Sequence, residues 1–141
     1  MRRKHNLFLS SVSAFFESEL YKKIEGAKRV IREQRFNILL PPEVLNSNAE
    51  FIRGTEGEFL AVQGVIDLII EDENGDLFLY DYKTDRLTPA ELLNDSLVRE
   101  KMTERHAPQL KYYKEAVRRL FGKECKASFV YSTHAAKEFE V

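Results

Sequence analysis

Apolar residues recur at helical spacing from Ser10 to Glu25, where Val12, Phe15, Phe16, Leu20 and Ile24 form one stripe. Ser10 or Ser11 can cap the start of that helix, and Gly26 follows its end. From Lys28 to Leu40 the pattern turns extended, with Val30, Phe36, Ile38 and Leu39 as apolar positions. Pro41 and Pro42 stop that strand. Glu43 to Glu50 is polar and rich in asparagine, which predicts a loop or short turn.

Glu58 to Glu71 is rich in valine and isoleucine and predicts a strand, with Asp76 to Lys83 as its partner. Asp72-Glu73-Asn74-Gly75-Asp76 between them is the strongest hairpin signal in the chain. Thr88-Pro89-Ala90-Glu91 reads as a capping box with proline at the first helical position, so a helix is predicted from Pro89 to about Val98. A second helix is predicted from about Ala107 to Phe121, with Leu110, Tyr113, Val117 and Leu120 on one face and Gly122 at its end. Ala127 to Tyr131 reads as a further strand, and Glu138 to Val141 as the start of another. The order predicts a mixed α/β or α+β layer fold, a small mixed β-sheet flanked by helices.

The 141 residues fit one domain, and 43% hydrophobic content argues against disorder. A lone cysteine, Cys125, excludes a disulfide framework and a cysteine-rich zinc site. No apolar run approaches the roughly 20 residues that cross a bilayer, so no membrane partner is expected. Met1-Arg2-Arg3-Lys4 is basic, but Leu7-Phe8-Leu9 is too short for a secretory signal, and the expected compartment is the cytoplasm. A formal net charge of -1 gives no global reason to bind nucleic acid, so such a function must rest on local features.

Three charged residues interrupt the apolar hairpin strands: Asp67, Asp81 and Lys83. Burying charge costs several kcal/mol unless it is paired or bound to a metal. Asp81 and Lys83 are two apart and leave the same sheet face. A two-residue Asn74-Gly75 turn would set Asp67 opposite Tyr82, on the other face. A three-residue Glu73-Asn74-Gly75 loop with left-handed Gly75 sets it opposite Asp81. The sequence permits both; the second is favoured because it gathers two carboxylates and an ammonium. Such a trio can hold Mg²⁺ or Mn²⁺ through oxygen, with Lys83 beside the water or phosphate, which is the equipment of phosphodiester hydrolysis. A buried ion pair that only braces the hairpin accounts for the same residues. Asp85 and Arg86, just beyond, read as a solvated pair.

At these residues the chain resembles the PD-(D/E)xK nuclease superfamily, and more narrowly the C-terminal nuclease domain of AddA/RecB-type helicase–nucleases. Gln63-Gly64-Val65-Ile66-Asp67 and Asp81-Tyr82-Lys83-Thr84-Asp85 match two of that family's motifs. Gln109-Leu110-Lys111-Tyr112-Tyr113 matches its downstream Gln-x-x-x-Tyr, and Arg32-Glu33-Gln34-Arg35-Phe36 is similar to the Arg-Glu-x-x-Phe of its first core strand. The similarity runs from about Phe15 to Tyr131. It implies a restriction-endonuclease-like core and cleavage of DNA, single-stranded, with Mg²⁺ or Mn²⁺. Asp67, Asp81 and the carbonyl of Tyr82 would bind metal, and Lys83 would be the catalytic lysine. Gln109 and Tyr113, at i and i+4, would face the site, although Tyr113 also falls on the apolar stripe. Glu33, read as a strand-end residue, is a less direct candidate. The family also implies helicase domains in a parent chain, an AddB/RecC-like partner, and a role in double-strand break repair and recombination. The alternative is a catalytically inactive scaffold that docks DNA or a partner.

One departure bears on metal binding. The family carries a metal-binding histidine well upstream of the Arg-Glu-x-x-Phe block. His5 lies in a polar stretch and reads as a surface residue, while His106 and His134 are out of order. Two readings follow: the chain, 1–141, is one nuclease domain cut from a longer helicase–nuclease, which is the favoured expectation, or it is a stand-alone remnant with a weakened metal site. No Gly-x-x-x-x-Gly-Lys-(Ser/Thr) phosphate loop occurs in it. Lys101, Arg105, Lys111, Lys114, Arg118 and Arg119, with Tyr112 and Tyr113 among them, could meet phosphates and bases, or form an ordinary solvated helix face with Glu104 and Glu115.

Overall fold

The computed structural model describes residues 10–41 and 59–141. Residues 10–16 are helical. Then come α1 (Glu19–Glu25), β1 (Arg29–Leu40), β2 (Leu60–Glu71), β3 (Leu77–Lys83), α2 (Pro89–Leu92), α3 (Asp95–Phe121), β4 (Ala127–Ser132) and β5 (Lys137–Glu140). The strands form one sheet in the order β1-β2-β3-β4-β5. Only β3 and β4 run parallel, joined by α2 and α3 as the crossover. The expected small mixed sheet flanked by helices is what the chain forms. The surface reading of His5, the strand stop at Pro42, the loop at Glu43–Glu50 and the strand start at Glu58 lie outside the described residues.

Two helices differ from the sequence reading. The single helix expected over Ser10–Glu25 is interrupted at Glu17 and Ser18. Ser18 acts as the N-cap of α1, its hydroxyl accepting the N–H of Tyr21, and a residue that bonds its own backbone restarts a helix rather than continuing one. The stripe is accordingly uneven: Leu20 is buried, while Val12 and Phe16 are exposed. Downstream, the helix expected over Pro89–Val98 is a single capped turn. Asn94 then caps a fresh start by accepting from Ser96 and Leu97. The resulting α3 runs 27 residues, straight through Pro108, where the sequence pattern predicts a start. Proline forfeits one helical hydrogen bond there, and burial of Val98, Met102, Leu110, Tyr113, Ala116 and Val117 along the helix outweighs it. Leu120 is exposed rather than part of that face.

The two sheet faces have separate cores. Ile66, Ile69, Leu77, Leu79, Val130, Phe36 and Ile38 pack beneath α3. Leu68, Ile70, Tyr80 and Tyr131 pack with Leu20 on the α1 side. In β2, both Ile66 and Ile69 therefore face α3, although an odd separation should put them on opposite faces. β1 makes the same switch between Ile31 and Phe36. The break falls at Glu33, which has φ of 53° and drops out of an otherwise constant register at the place opposite Asp67. Glu33 is thus mid-strand and exposed, not at a strand end.

Candidate active site

The β2–β3 turn places the site. Leu68 pairs with Tyr80, Ile69 with Leu79, Ile70 with Phe78 and Glu71 with Leu77. This register continues to Asp67 opposite Asp81. It requires the three-residue loop, with Gly75 left-handed at φ 84°. The Asp72 carboxylate accepts from Asn74 and Asp76 at 3.0 and 2.9 Å and holds the loop in that shape. The alternative two-residue turn is not formed.

Regular pairing of β2 and β3 ends at Leu68 and Tyr80. At the next position, Asp67 Oδ2 accepts the backbone N–H of Tyr82 at 2.8 Å. Asp81, only 3% exposed, sits beside it. Burial pushes its carboxyl up to about 6; a hydrogen bond with Asp67 pushes the same way, against the opposing pull of Lys83. Lys83 Nζ lies 2.9 Å from Asp81 Oδ2 and donates to Gln109 Oε1 at 2.8 Å. The Gln109 amide in turn donates to the Tyr113 hydroxyl at 2.9 Å. Burial raises the Tyr113 phenol, and the charges of Asp81 and Asp67 add to the effect, so its ring tip feels both carboxylates.

Gln109 and Tyr113 thus join Asp67, Asp81 and Lys83 in one cluster. Tyr113 serves both of its sequence readings, since its ring packs edge-on against Phe36 at 5.5 Å while its hydroxyl holds Gln109. Gly64 makes room for that packing. A Cβ there would meet the Phe36 ring at 2.8 Å and Tyr113 at 3.4 Å. Glu33 stands opposite Asp67 on the next strand, set apart from the Asp81–Lys83–Gln109 chain of contacts.

Asp85 is not a solvated partner of Arg86. It is half-buried and binds Arg105 at 3.0 Å and His106 at 3.1 Å. Burial would raise its carboxyl, but hydrogen bonds from these two partners bring it below the usual range. Alternate β3 residues and their continuation, Asp81, Lys83 and Asp85, therefore face Tyr113, Gln109 and His106 along α3 as a polar seam. The sequence reading set Asp85 with Arg86 and put His106 aside as out of order, and so did not bring these two together. Their signal was spacing: His106 is three before Gln109, and Asp85 is two after Lys83. His134 has a separate part, accepting the Leu87 N–H through Nδ1 at 2.8 Å.

The basic stretch of α3 is largely spent on ion pairs. Lys101 binds Glu91, Arg105 binds Asp85, and Arg118 and Arg119 share Glu115. Lys111 and Lys114 remain exposed.

The donor set suits a hard divalent cation. Asp81 Oδ2 is buried and, beside the nearby ammonium, has no hydrogen bond of good geometry. Among the described residues no group of three or more His, Cys, Asp and Glu side chains converges. Two carboxylates are what Mg²⁺ takes from proteins when water and phosphate complete its shell. Among the described residues no helix is long and apolar enough to cross a membrane.

A layered sheet with an Asp, Asp-x-Lys trio at the mouth of its central hairpin is the frame of a nuclease, and comparison with known proteins agrees. Residues 3–139 match the model of the PD-(D/E)XK nuclease superfamily, and the chain belongs to that superfamily. Among its relatives are ATP-dependent helicase/nuclease subunits of Anoxybacillus flavithermus and Acetivibrio thermocellus. These are 34% identical over 91% and 85% of this chain. That of Lachnoclostridium phytofermentans is 30% identical over 92%. The chain spans about a tenth of the length of these relatives, 9%, 9% and 11%.

Proposed function

We propose that the chain cleaves DNA phosphodiester bonds with a divalent cation, Mg²⁺ or Mn²⁺, as the nuclease domain of a longer helicase–nuclease. The observation that carries this is the convergence of Asp67, Asp81 and Lys83, with Lys83 Nζ 2.9 Å from Asp81 and 2.8 Å from Gln109. Asp67, Asp81 and the carbonyl of Tyr82 would hold the cation. Bound there, it supplies charge neutralisation at the phosphate and a water of lowered pKa. Lys83 has three donors; Gln109 takes one and Asp81 holds the ammonium as an ion pair, so a donor is left for a phosphate oxygen or the attacking water. Gln109 and Tyr113 fix the ammonium. Glu33, on the strand opposite Asp67, is an outlying candidate for the water or cation shell.

The relatives are named as ATP-dependent helicase/nucleases, which supports DNA as substrate and motor domains in a parent chain. By analogy with the family we propose a role in double-strand break repair and recombination, in the cytoplasm and with an AddB/RecC-like partner. Calorimetric titration with Mn²⁺ and incubation with labelled single-stranded DNA test the reading. Wild type should take up metal and cut. Asp81→Ala should do neither, and Lys83→Ala should bind metal without cutting. Cleavage that survives Lys83→Ala sinks the assignment. A wild type that binds DNA but neither takes up metal nor cuts supports the inactive-scaffold reading, for which the absence of a third acidic or histidine ligand among the described residues is the argument.

A further inference from the structure

The side of the sheet opposite α3 holds a cavity of about 730 Å³ next to the candidate active site. Five rings line it: Phe15, Phe16, Tyr21, Tyr82 and Tyr131. They meet edge to face, with Phe15 5.5 Å from Tyr131 and 6.0 Å from Tyr82, and Phe16 4.9 Å from Tyr21. Phe16 is 54% exposed at the rim, a large apolar surface left to water. Arg32 also lines the cavity, within hydrogen-bonding reach of the Tyr82 hydroxyl. The Tyr131 hydroxyl is buried in the wall, close to Ser18.

We propose that this cavity takes an unpaired nucleobase of the strand being cut, with Phe16 and its neighbouring rings as the stacking surface and Arg32 meeting an adjacent phosphate. The inference rests on the nuclease reading and adds to it a pocket for a base beside the reacting phosphate. Two observations select a nucleic-acid occupant. The first is charge: aromatic faces beside a guanidinium are how proteins hold single strands without reading sequence. The second is continuity. Tyr82 stands between Asp81 and Lys83 on β3, so its ring lines the cavity while these two neighbours join Asp67 in the proposed catalytic trio on the other face. A strand whose phosphate reaches Lys83 passes the end of β3, within reach of both. Bases locked in a duplex cannot enter, because each must first leave its stack and its partner.

The test is metal-free binding by the full chain, which separates it from cleavage. The probes are a labelled oligo-dT strand, a sugar-phosphate strand of equal length without bases, and a duplex, all at low salt and read by fluorescence anisotropy. Wild type should prefer oligo-dT to the abasic strand and to the duplex. Phe16→Ala, at a half-exposed position and checked for an unchanged unfolding midpoint, should weaken oligo-dT binding roughly tenfold, as loss of one stacked ring does, and leave the abasic strand unchanged. Arg32→Gln should weaken both single strands. Equal affinity of wild type for oligo-dT and the abasic strand overturns the proposal. So does an oligo-dT affinity that Phe16→Ala leaves intact. Failure here with metal-dependent cleavage retained removes the base pocket alone. Loss of metal uptake and cleavage with base-dependent binding retained removes the nuclease reading and leaves a single-strand binding site.

Discussion

Asp67 Oδ2 accepts the Tyr82 backbone N–H at 2.8 Å, one step past the last regular pair of β2 and β3. A side chain thus takes over where the ladder stops, and the carboxylate is fixed by the strand that carries Asp81 and Lys83. Fold and chemistry therefore draw on different properties of one residue, and substitution can separate them. Asp67→Asn keeps an oxygen acceptor for Tyr82 and should leave stability within about 1 kcal/mol of wild type while abolishing metal uptake. Asp67→Ala leaves the N–H without its partner and should cost about 1–3 kcal/mol as well. Urea unfolding alongside Mn²⁺ calorimetry distinguishes the two effects.

Asp81 makes the metal-free protein sensitive to pH. Its carboxyl is pushed up to about 6, above the roughly 3.9 of an unfolded chain. The folded state then binds more protons between those values, so this residue's contribution makes stability fall as pH rises from about 4 to 6, with the full penalty above 6. Two units correspond to at most about 3 kcal/mol. Asp81→Asn should therefore be more stable than wild type at pH 8 without metal, and should lose that advantage near pH 4. Denaturant midpoints at the two pH values check the sign.

The chain Lys83–Gln109–Tyr113 positions the ammonium by relay. Gln109→Ala should lower cleavage about tenfold with metal affinity unchanged, the worth of a charge-assisted hydrogen bond. Tyr113→Phe retains the packing against Phe36 and loses only the hydroxyl that holds the Gln109 amide, so a few-fold loss is expected. The double variant should be no worse than Gln109→Ala. Rates under saturating Mn²⁺ read the difference, and additive losses would show that the two act separately.

Asp85 ties β3's continuation to α3 through Arg105 and His106. Its carboxyl is held below the usual range. The stabilisation is present above the unfolded carboxylate pKa and lost as pH falls through the folded value. Asp85→Ala should reduce stability by about 1 kcal/mol at pH 7 and by less near pH 3. Because the seam continues to Gln109, its effect on cleavage should shrink when Gln109→Ala is already present. A double-mutant cycle measures that coupling.

The chain's own sequence determined what depends on neighbours a few residues apart. Asp72, Asn74 and Gly75 mark a hairpin turn, while the choice between its two- and three-residue loops, and with it Asp67 opposite Asp81, came only with the folded register. Thr88 and Glu91 dictate a helical start, and Gln109 and Tyr113 share a face because of helical spacing. Contacts between distant segments decided the rest. Local pattern ends a helix near Val98 and starts one near Pro108, yet packing along α3 carries it through. Alternation alone assigns the wrong faces beyond Glu33 and Asp67, because a left-handed residue on one strand and the end of pairing on the other shift the pleat together. Asp85 meets His106 across 21 positions, and the aromatic cavity joins residues from both ends of the chain. Such meetings reflect burial and charge pairing in three dimensions, which no short window of sequence encodes.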